Sequence, residues 1–330
     1  MWYDKAQLLS HNRIMNMVLS NRGGGKTFHF TRWGIDDFKK SGNQCVWVRR
    51  YQTEIDEMLL NGKFFDAVRK YYPNDELTIE GNLGKVNGEV AFYFIALSTS
   101  RQLKSNNYPD VNKIIFDEFI IDKGRVTYLK AEVEVFLDLY ETVARLRDNV
   151  RAVLLANAIT VVNPYFLFWN IKPDPKKRFT VNGQVCIEMF TDADFIEQKR
   201  RTRFGQLVQG TRYSDYSIDN RWLLDTETFI EPKSPDAEFM IGMKYNGTMY
   251  GFWCDYKRGL IYVTKQYDPS SYNLYCLTKD DHEPNLLLIK DLRDAKRVQR
   301  VVYAFRHGLL RFSDMTVKTQ FFEYIGYFVR

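Results

Sequence analysis

Short apolar runs alternate along the chain with longer stretches of helical spacing. "RIMNMVLS" (13–20) is strand-like and runs into three glycines at 23 to 25. "KTFHFTRWGIDDFKKS" (26–41) offers Phe30, Trp33 and Phe38 to one packed helix face, and Gly42 stops it. "QCVWVRRY" (44–51) is β-branched and aromatic, a second strand. "TEIDEMLLNGKFFDAVRKYY" predicts a largely helical segment ending at Pro73, and "ELTIEGNLGKVNGEVAFYFIAL" predicts hairpins with a turn at Asn87-Gly88. "VNKIIFDEF" (111–119) is a short buried strand with two acids at its end. "LKAEVEVFLDLYETVARLRD" (129–148) carries a helical pattern, and "RAVLLANA" (151–158) is another buried strand. Strands alternating with helices, several of them continuously apolar, predict an α/β fold with a mainly parallel sheet covered on both faces.

The pattern changes near residue 200. "EQKRRTRFGQLVQGTRYSDYSIDN" (197–220) is basic and polar, a linker or bridging helix. After "EPKSPD" (231–236) comes a β-meander of three strands with turns at Asn246-Gly247 and Arg258-Gly259. The end is helical, with Leu292, Ala295, Val298, Val302, Phe305 and Leu309 at steps of three and four. Three regions follow: a domain over 1–196, a linking segment over 197–232 and a smaller α+β domain over 233–330.

The length of 330 residues fits about two domains of ~150 residues. A composition of 45% hydrophobic residues excludes a disordered chain. The net charge of +6 permits a polyanionic partner without demanding one. Cys45, Cys186, Cys254 and Cys276 are scattered with no CxxC pair, which predicts reduced thiols in a cytosolic compartment and no structural metal. The start has no signal-peptide apolar region, and the most apolar stretch, "AVLLANAITVV", is too short to span a bilayer.

"SNRGGGKT" (Ser20, Asn21, Arg22, Gly23, Gly24, Gly25, Lys26, Thr27) fits the phosphate-loop pattern G-x-x-x-x-G-K-[ST] everywhere except Ser20. Backbone N–H groups in such a loop point at phosphate, and the next helix adds its positive dipole end. Lys26 is placed to reach the β- and γ-phosphates of ATP, and Thr27 to hold Mg²⁺. "IIFDE" supplies Asp117 for the Mg²⁺ shell and Glu118 to polarise the attacking water. Alone, these acids read first as solvated groups at a strand end; about 90 residues after a phosphate loop, they point to hydrolysis. The class is the P-loop NTPases with an additional strand and a catalytic glutamate. "ETVARLRDNVR" offers Arg145, Arg147 and Arg151 for a transition-state charge in a neighbouring subunit, or simply as surface arginines. Asn157 in "LLANA" suits a γ-phosphate sensor or a turn.

At these residues the chain resembles the genome-packaging motor ATPases of small short-tailed phages with protein-primed linear genomes, relatives of the viral large terminases. The resemblance runs in order through "SNRGGGKT", "WVRRY", "LKSNNYP", "IIFDEF", "LANA", "VNPYFLF", "KRRTRFG", "SIDN" and "YDPS". It implies a homomeric, pentameric ring docked on the portal of an empty prohead, driving double-stranded DNA inward with ATP. It also implies a packaging RNA that tethers the ring, and a life in the host cytoplasm and transiently on the prohead. By position, Arg145 matches a trans-acting arginine finger and Lys104 in "LKSNNYP" a trans-acting lysine. Arg49 and Arg50 fall in the family's arginine pair. Ser20 departs from the family's first glycine, which puts the fine geometry of the loop in question.

Translocation irrespective of sequence calls for phosphate contacts. Lys123, Gly124 and Arg125 form either a basic loop in the ring's channel or a solvent-facing turn. Lys199, Arg200, Arg201 and Arg203 form either a DNA, RNA or portal contact or a solvated face, and Arg293, Lys296, Arg297 and Arg300 form either a nucleic-acid face or the polar side of an amphipathic helix. The large terminases carry an RNase H-like nuclease as second domain, which needs clustered carboxylates for two metals. Here Met243 and Lys244 stand where the first acid belongs, leaving Asp255 and Asp268. The expectation is a degenerate nuclease fold that no longer cuts, with a terminase bearing a working nuclease as the alternative.

Overall fold

The computed structural model describes residues 3–21, 23–121, 128–157, 163–169, 171, 173–174, 177–211, 214, 229–288 and 296–325, with only the backbone at 167. The chain divides into two compact units, Met1–Leu224 and Asp225–Arg330.

The first unit is built on a nine-stranded sheet. Its strands are β1 (Met15–Ser20), β2 (Gln44–Arg49), β3 (Leu77–Glu80), β4 (Leu83–Val86), β5 (Glu89–Ala96), β6 (Val111–Asp117), β7 (Arg151–Asn157), β8 (Phe179–Asn182) and β9 (Val185–Phe190). Their spatial order is β3-β4-β5-β2-β6-β7-β1-β9-β8. The six central strands from β5 to β9 are parallel, and antiparallel hairpins finish both edges. The expected mainly parallel sheet is therefore present. β8 and β9 escaped sequence reading because no continuous apolar run marks them.

Successive residues of the central strands face opposite sides of the sheet, which explains their unbroken apolar character. Ile114 and Phe116 pack with Leu154 against one layer, which holds Phe136 and Leu139 of helix α5 (Glu132–Ala144). Ile115 and Val153 pack against the other, which holds Phe30 and Ile35 of α2 (Lys26–Ser41), a helix that follows the short α1 (Ala6–Ser10). Burying a side chain of this size stabilises by roughly 1.5–3 kcal/mol, so the two layers hold the strand ends rigidly in register.

α2 starts and stops at the expected residues, with Gly42 left-handed at φ 70° after its last turn. The helical stretch expected over 53–72 is instead two helices, α3 (Gln52–Leu59) and α4 (Lys63–Arg69), split by left-handed Asn61 and Gly62. An Asn-Gly pair relieves the turn where a helix interior would not. α6 (Pro164–Phe168) follows β7. The basic segment after 193 forms α7 (Ala193–Arg201) and α8 (Arg203–Val208), each opened by a side-chain cap, from Asp192 and Thr202.

The second unit is built on a six-stranded sheet. β10 (Glu238–Tyr245), β11 (Thr248–Asp255) and β12 (Leu260–Thr264) form the expected meander. β13 (Leu274–Cys276) and β14 (Leu287–Leu288) add parallel beside β10, and β15 (Leu310–Phe312) adds parallel to β12. The expected terminal helix is present as Lys296–Arg306, while Leu292, Ala295, Arg293 and Asp294 lie outside the described residues. Leu309 leads into β15, and a further helix, Met315–Tyr324, packs Phe321 and Tyr324 on the sheet. Among the described residues no helix is long and apolar enough to cross a membrane.

Candidate functional site

The sheet brings the two motifs to one edge. β1 ends in Ser20 and β6 in Asp117, and β7 lies between them and ends in Asn157. The loop after β1 turns through Gly23 at φ 86° and Gly25 at φ 79°, both in the left-handed region that favours glycine. A Cβ at Gly24 would lie 3.3 Å from Ser20 Oγ, so the serine in the loop's first position constrains its middle. Arg22 lies outside the described residues.

Lys26 turns back into this loop. Its Nζ donates to Ser20 Oγ at 2.7 Å, to the carbonyls of Ser20 and Asn21 at 3.4 and 3.2 Å, and to Asn157 Oδ1 at 3.4 Å. Burial pulls its ammonium down to about 8, against the opposing pull of Asp117 and Glu118. Ser20, expected as a departure of uncertain effect on geometry, is thus the shortest contact of the loop lysine.

Thr27 Oγ1 donates to Asp117 Oδ2 at 3.4 Å. Burial raises the Asp117 pKa, with Arg49 opposing. A hydroxyl and a buried carboxylate facing each other beside a phosphate loop are the oxygen donors that a hard divalent cation takes, so the pair fits Mg²⁺. An open cleft of about 370 Å³ is lined by loop residues 23–28, Asp117, Glu118, Asn157, Ala156 and Ala67 of α4.

Glu118 is exposed, and its backbone is left-handed at φ 61°. For a non-glycine residue this costs on the order of 1–3 kcal/mol and persists only where surroundings impose it. Arg49 Nη1 forms an ion pair with Glu118 Oε2 at 2.8 Å, and its Nη2 lies 4.0 Å from Asp117 Oδ2. Arg50, the second arginine of the pair, points elsewhere. It is buried and meets Glu132 and the carbonyls of Glu118 and Phe119. Sequence reasoning did not single out Glu132 or Tyr165. The one signal for Glu132 was an acid in the first turn of a strongly apolar helix, a place where caps are common.

The other candidates lie apart from the cleft. α5 starts at Glu132, near the acids, and runs ~20 Å to the opposite edge of the sheet. There Arg145 Nη2 donates to the carbonyl of Asn106 at 3.2 Å, while Lys104 Nζ pairs with Asp138 Oδ2, midway along the helix, at 3.2 Å. Neither side chain lines the cleft. Arg147 is engaged by its own subunit, donating to the carbonyls of Pro109, Val111, Tyr108 and Val143 at 2.5–2.8 Å. Arg151 donates to Asn12 Oδ1 at 2.6 Å.

Of the basic run, Arg200 and Arg201 pair with Glu197 at 4.0 and 3.1 Å, Lys199 lies over the Phe195 ring, and Arg203 is exposed. Lys123, Gly124 and Arg125 lie outside the described residues. In the second unit, Asp255 accepts the backbone N–H groups of Lys257 and Arg258, both at 3.0 Å, and Asp268 accepts from Ser270. Met243 is buried and Lys244 pairs with Glu283. All four cysteines are buried and free.

Comparison with known proteins places this arrangement. The DNA packaging protein of Bacillus phage phi29 is 39% identical over 323 residues, covering 98% of this chain and 96% of that one. A structure of the phi29 viral genome packaging motor assembly contains a chain that matches with a TM-score of 0.79 at 38% identity, covering 99% of both. The crystal structure of the N-terminal domain of the phi29 DNA packaging ATPase matches 59% of this chain and 98% of that one, with a TM-score of 0.55 at 40% identity. The family model described as podovirus DNA encapsidation protein (Gp16) spans residues 1–327, so both units are matched together, and the chain belongs to that family.

Proposed function

We propose that this chain is the ATP-hydrolysing subunit of a homomeric ring, docked on a portal, that drives double-stranded viral DNA into a preformed prohead. The observation that carries it is the meeting of Lys26, Thr27, Asp117 and Glu118 in one cleft at the end of β1 and β6. The strand inserted between β1 and β6 supports the P-loop class with an additional strand and a catalytic glutamate. The phi29 relative bears the name DNA packaging protein, and the matching structures are of a packaging ATPase and a genome packaging motor.

In this reading the backbone of 20–27 cradles the ATP phosphates. Lys26 exchanges its contacts with Ser20, Asn21 and Asn157 for phosphate oxygens, which frees Asn157 to report the γ-phosphate. Thr27 and Asp117 would hold Mg²⁺, which when bound neutralises charge on the phosphate oxygens. Glu118 leaves Arg49, accepts a proton from the attacking water and directs it in line. Arg145 and Lys104, neither of which lines its own cleft, complete the neighbour's site. Arg147 holds the turn that presents them.

In the second unit, three antiparallel strands with two parallel additions beside β10 support an RNase H-like topology. Asp255 and Asp268 are engaged in their own turns, and Lys244 occupies the first strand, which supports a fold that holds portal, packaging RNA or DNA without cutting. Lys199, Arg200, Arg201 and Arg203 are candidates for such contacts, as are Lys123 and Arg125 for DNA. The function is tested by ATP turnover with and without duplex DNA. Stimulation that is lost in Lys26→Ala and Glu118→Gln is expected, and plasmid cleavage with Mg²⁺ or Mn²⁺ that is lost in Asp255→Ala would restore the nuclease alternative.

A further inference from the structure

Resting on the ATPase reading above, we infer that Arg50, Glu132 and Tyr165 form a buried positioning assembly that sets Glu118 for hydrolysis. Glu118 needs an external hold, because its left-handed backbone at φ 61° is not one that a glutamate keeps unaided. Arg50 supplies it. Its Nη1 donates to the carbonyl of Glu118 at 3.2 Å and its Nη2 to that of Phe119 at 2.7 Å.

The guanidinium is fixed in turn. Nε and Nη2 grip the two carboxylate oxygens of Glu132 at 2.8 and 2.9 Å. Glu132 Oε1 also accepts from the Tyr165 hydroxyl at 2.9 Å, and Oε2 from the Leu129 N–H at 2.8 Å. Arg50 is 2% exposed and Glu132 0%, so water does not compete for these contacts. The Phe116 and Tyr128 rings lie at 5.5 and 5.1 Å from the guanidinium carbon. Only a planar fork reaches two carbonyls and a bidentate carboxylate at once.

None of the three side chains lines the cleft, so the assembly acts through Glu118 and not on ATP. It also joins three parts of the fold at one point: the end of β2, the turn after β6 and the start of α5. Because α5 carries Arg145 at its other end, a pull on that surface reaches the backbone of Glu118 through Glu132 and Arg50.

The test is steady-state ATP turnover by the full chain with duplex DNA, with folding checked by thermal melting. Arg50→Ala would strand a buried carboxylate and unfold the unit, so the variants are Arg50→Lys and Tyr165→Phe. Arg50→Lys is expected to lower kcat by ~10- to 100-fold with KM for ATP held within ~3-fold, as for a misplaced reacting group. Tyr165→Phe removes one bond and is expected to lower kcat by ~2- to 5-fold, again at constant KM. In a Glu118→Gln background, followed in single turnovers, Arg50→Lys is expected to add no further loss, because both changes act through one carboxylate. Full kcat in both folded variants, a rise in KM in place of the fall in kcat, or an equal further loss in the Glu118→Gln background would overturn the inference. Wild-type protein that turns over no ATP would overturn the ATPase reading and this role together, whereas normal wild-type turnover with unaffected variants overturns this role alone.

Discussion

Thr27 Oγ1 lies 3.4 Å from Asp117 Oδ2, although 90 residues separate them in the chain. β1, which leads into the Thr27 loop, and β6, which ends in Asp117, are not neighbours, since β7 stands between them. The pair meets because the loop after β1 carries the first turn of α2 across the end of β7. Thr27→Ala and Asp117→Asn should each raise the Mg²⁺ concentration needed for half-maximal ATP turnover by ~10- to 100-fold. A Mg²⁺ titration of the hydrolysis rate checks this.

Arg145 and Arg147 are two residues apart and should behave as opposites. Arg147→Ala removes the donor to four backbone carbonyls and should lower unfolding stability by about 2–3 kcal/mol. Arg145→Ala loses one exposed contact and should stay within ~0.5 kcal/mol of the parent. Urea denaturation of the two variants distinguishes them.

Much of this was legible in the chain because it is local. "SNRGGGKT" names its loop by glycine spacing, "IIFDE" names a strand end by an apolar run that stops at two acids, and α2 declares both its ends. The Arg50–Glu132–Tyr165 cluster was not legible. Its members are 82 and 33 residues apart, each looks ordinary in its own segment, and only the sheet order brings them together. The break at Asn61-Gly62 was missed for a different reason: apolar spacing on both sides reads as one helix when the turn residues are not weighed.

The distance between Arg145 and its own cleft gives a complementation test. Arg145→Ala and Glu118→Gln subunits should each be inactive alone. Mixed rings should regain part of the DNA-stimulated ATPase, because an intact Glu118 can then meet a neighbour's intact Arg145. Turnover across a mixing series, with assembly checked by sedimentation, measures the recovery; inactivity at every ratio would place the arginine elsewhere.

His29 gives the fold a pH dependence. Burial, and then the nearby Lys5 charge, pulls its pKa from 6.5 to about 4, while Asp4 opposes. Its Nε2 accepts the Lys5 backbone N–H at 3.4 Å, which requires the neutral ring. Below pH 6.5 the unfolded chain takes up a proton that the folded chain refuses, so stability falls as pH drops from about 6.5 to about 4 and levels off below. Because the ring is only partly buried, the loss should be on the order of 1–2 kcal/mol. Urea unfolding across this range, with His29→Asn as reference, should show the variant less steep than the parent by that amount.

The most direct measurement is packaging itself. Purified chain, portal-bearing proheads, duplex DNA and ATP are combined, with and without a packaging RNA, and nuclease-protected DNA is counted against ATP consumed. The account predicts protection that requires ATP hydrolysis and vanishes with Glu118→Gln while nucleotide binding remains. Protected DNA at parental levels with Glu118→Gln, or with no ATP consumed, would contradict it.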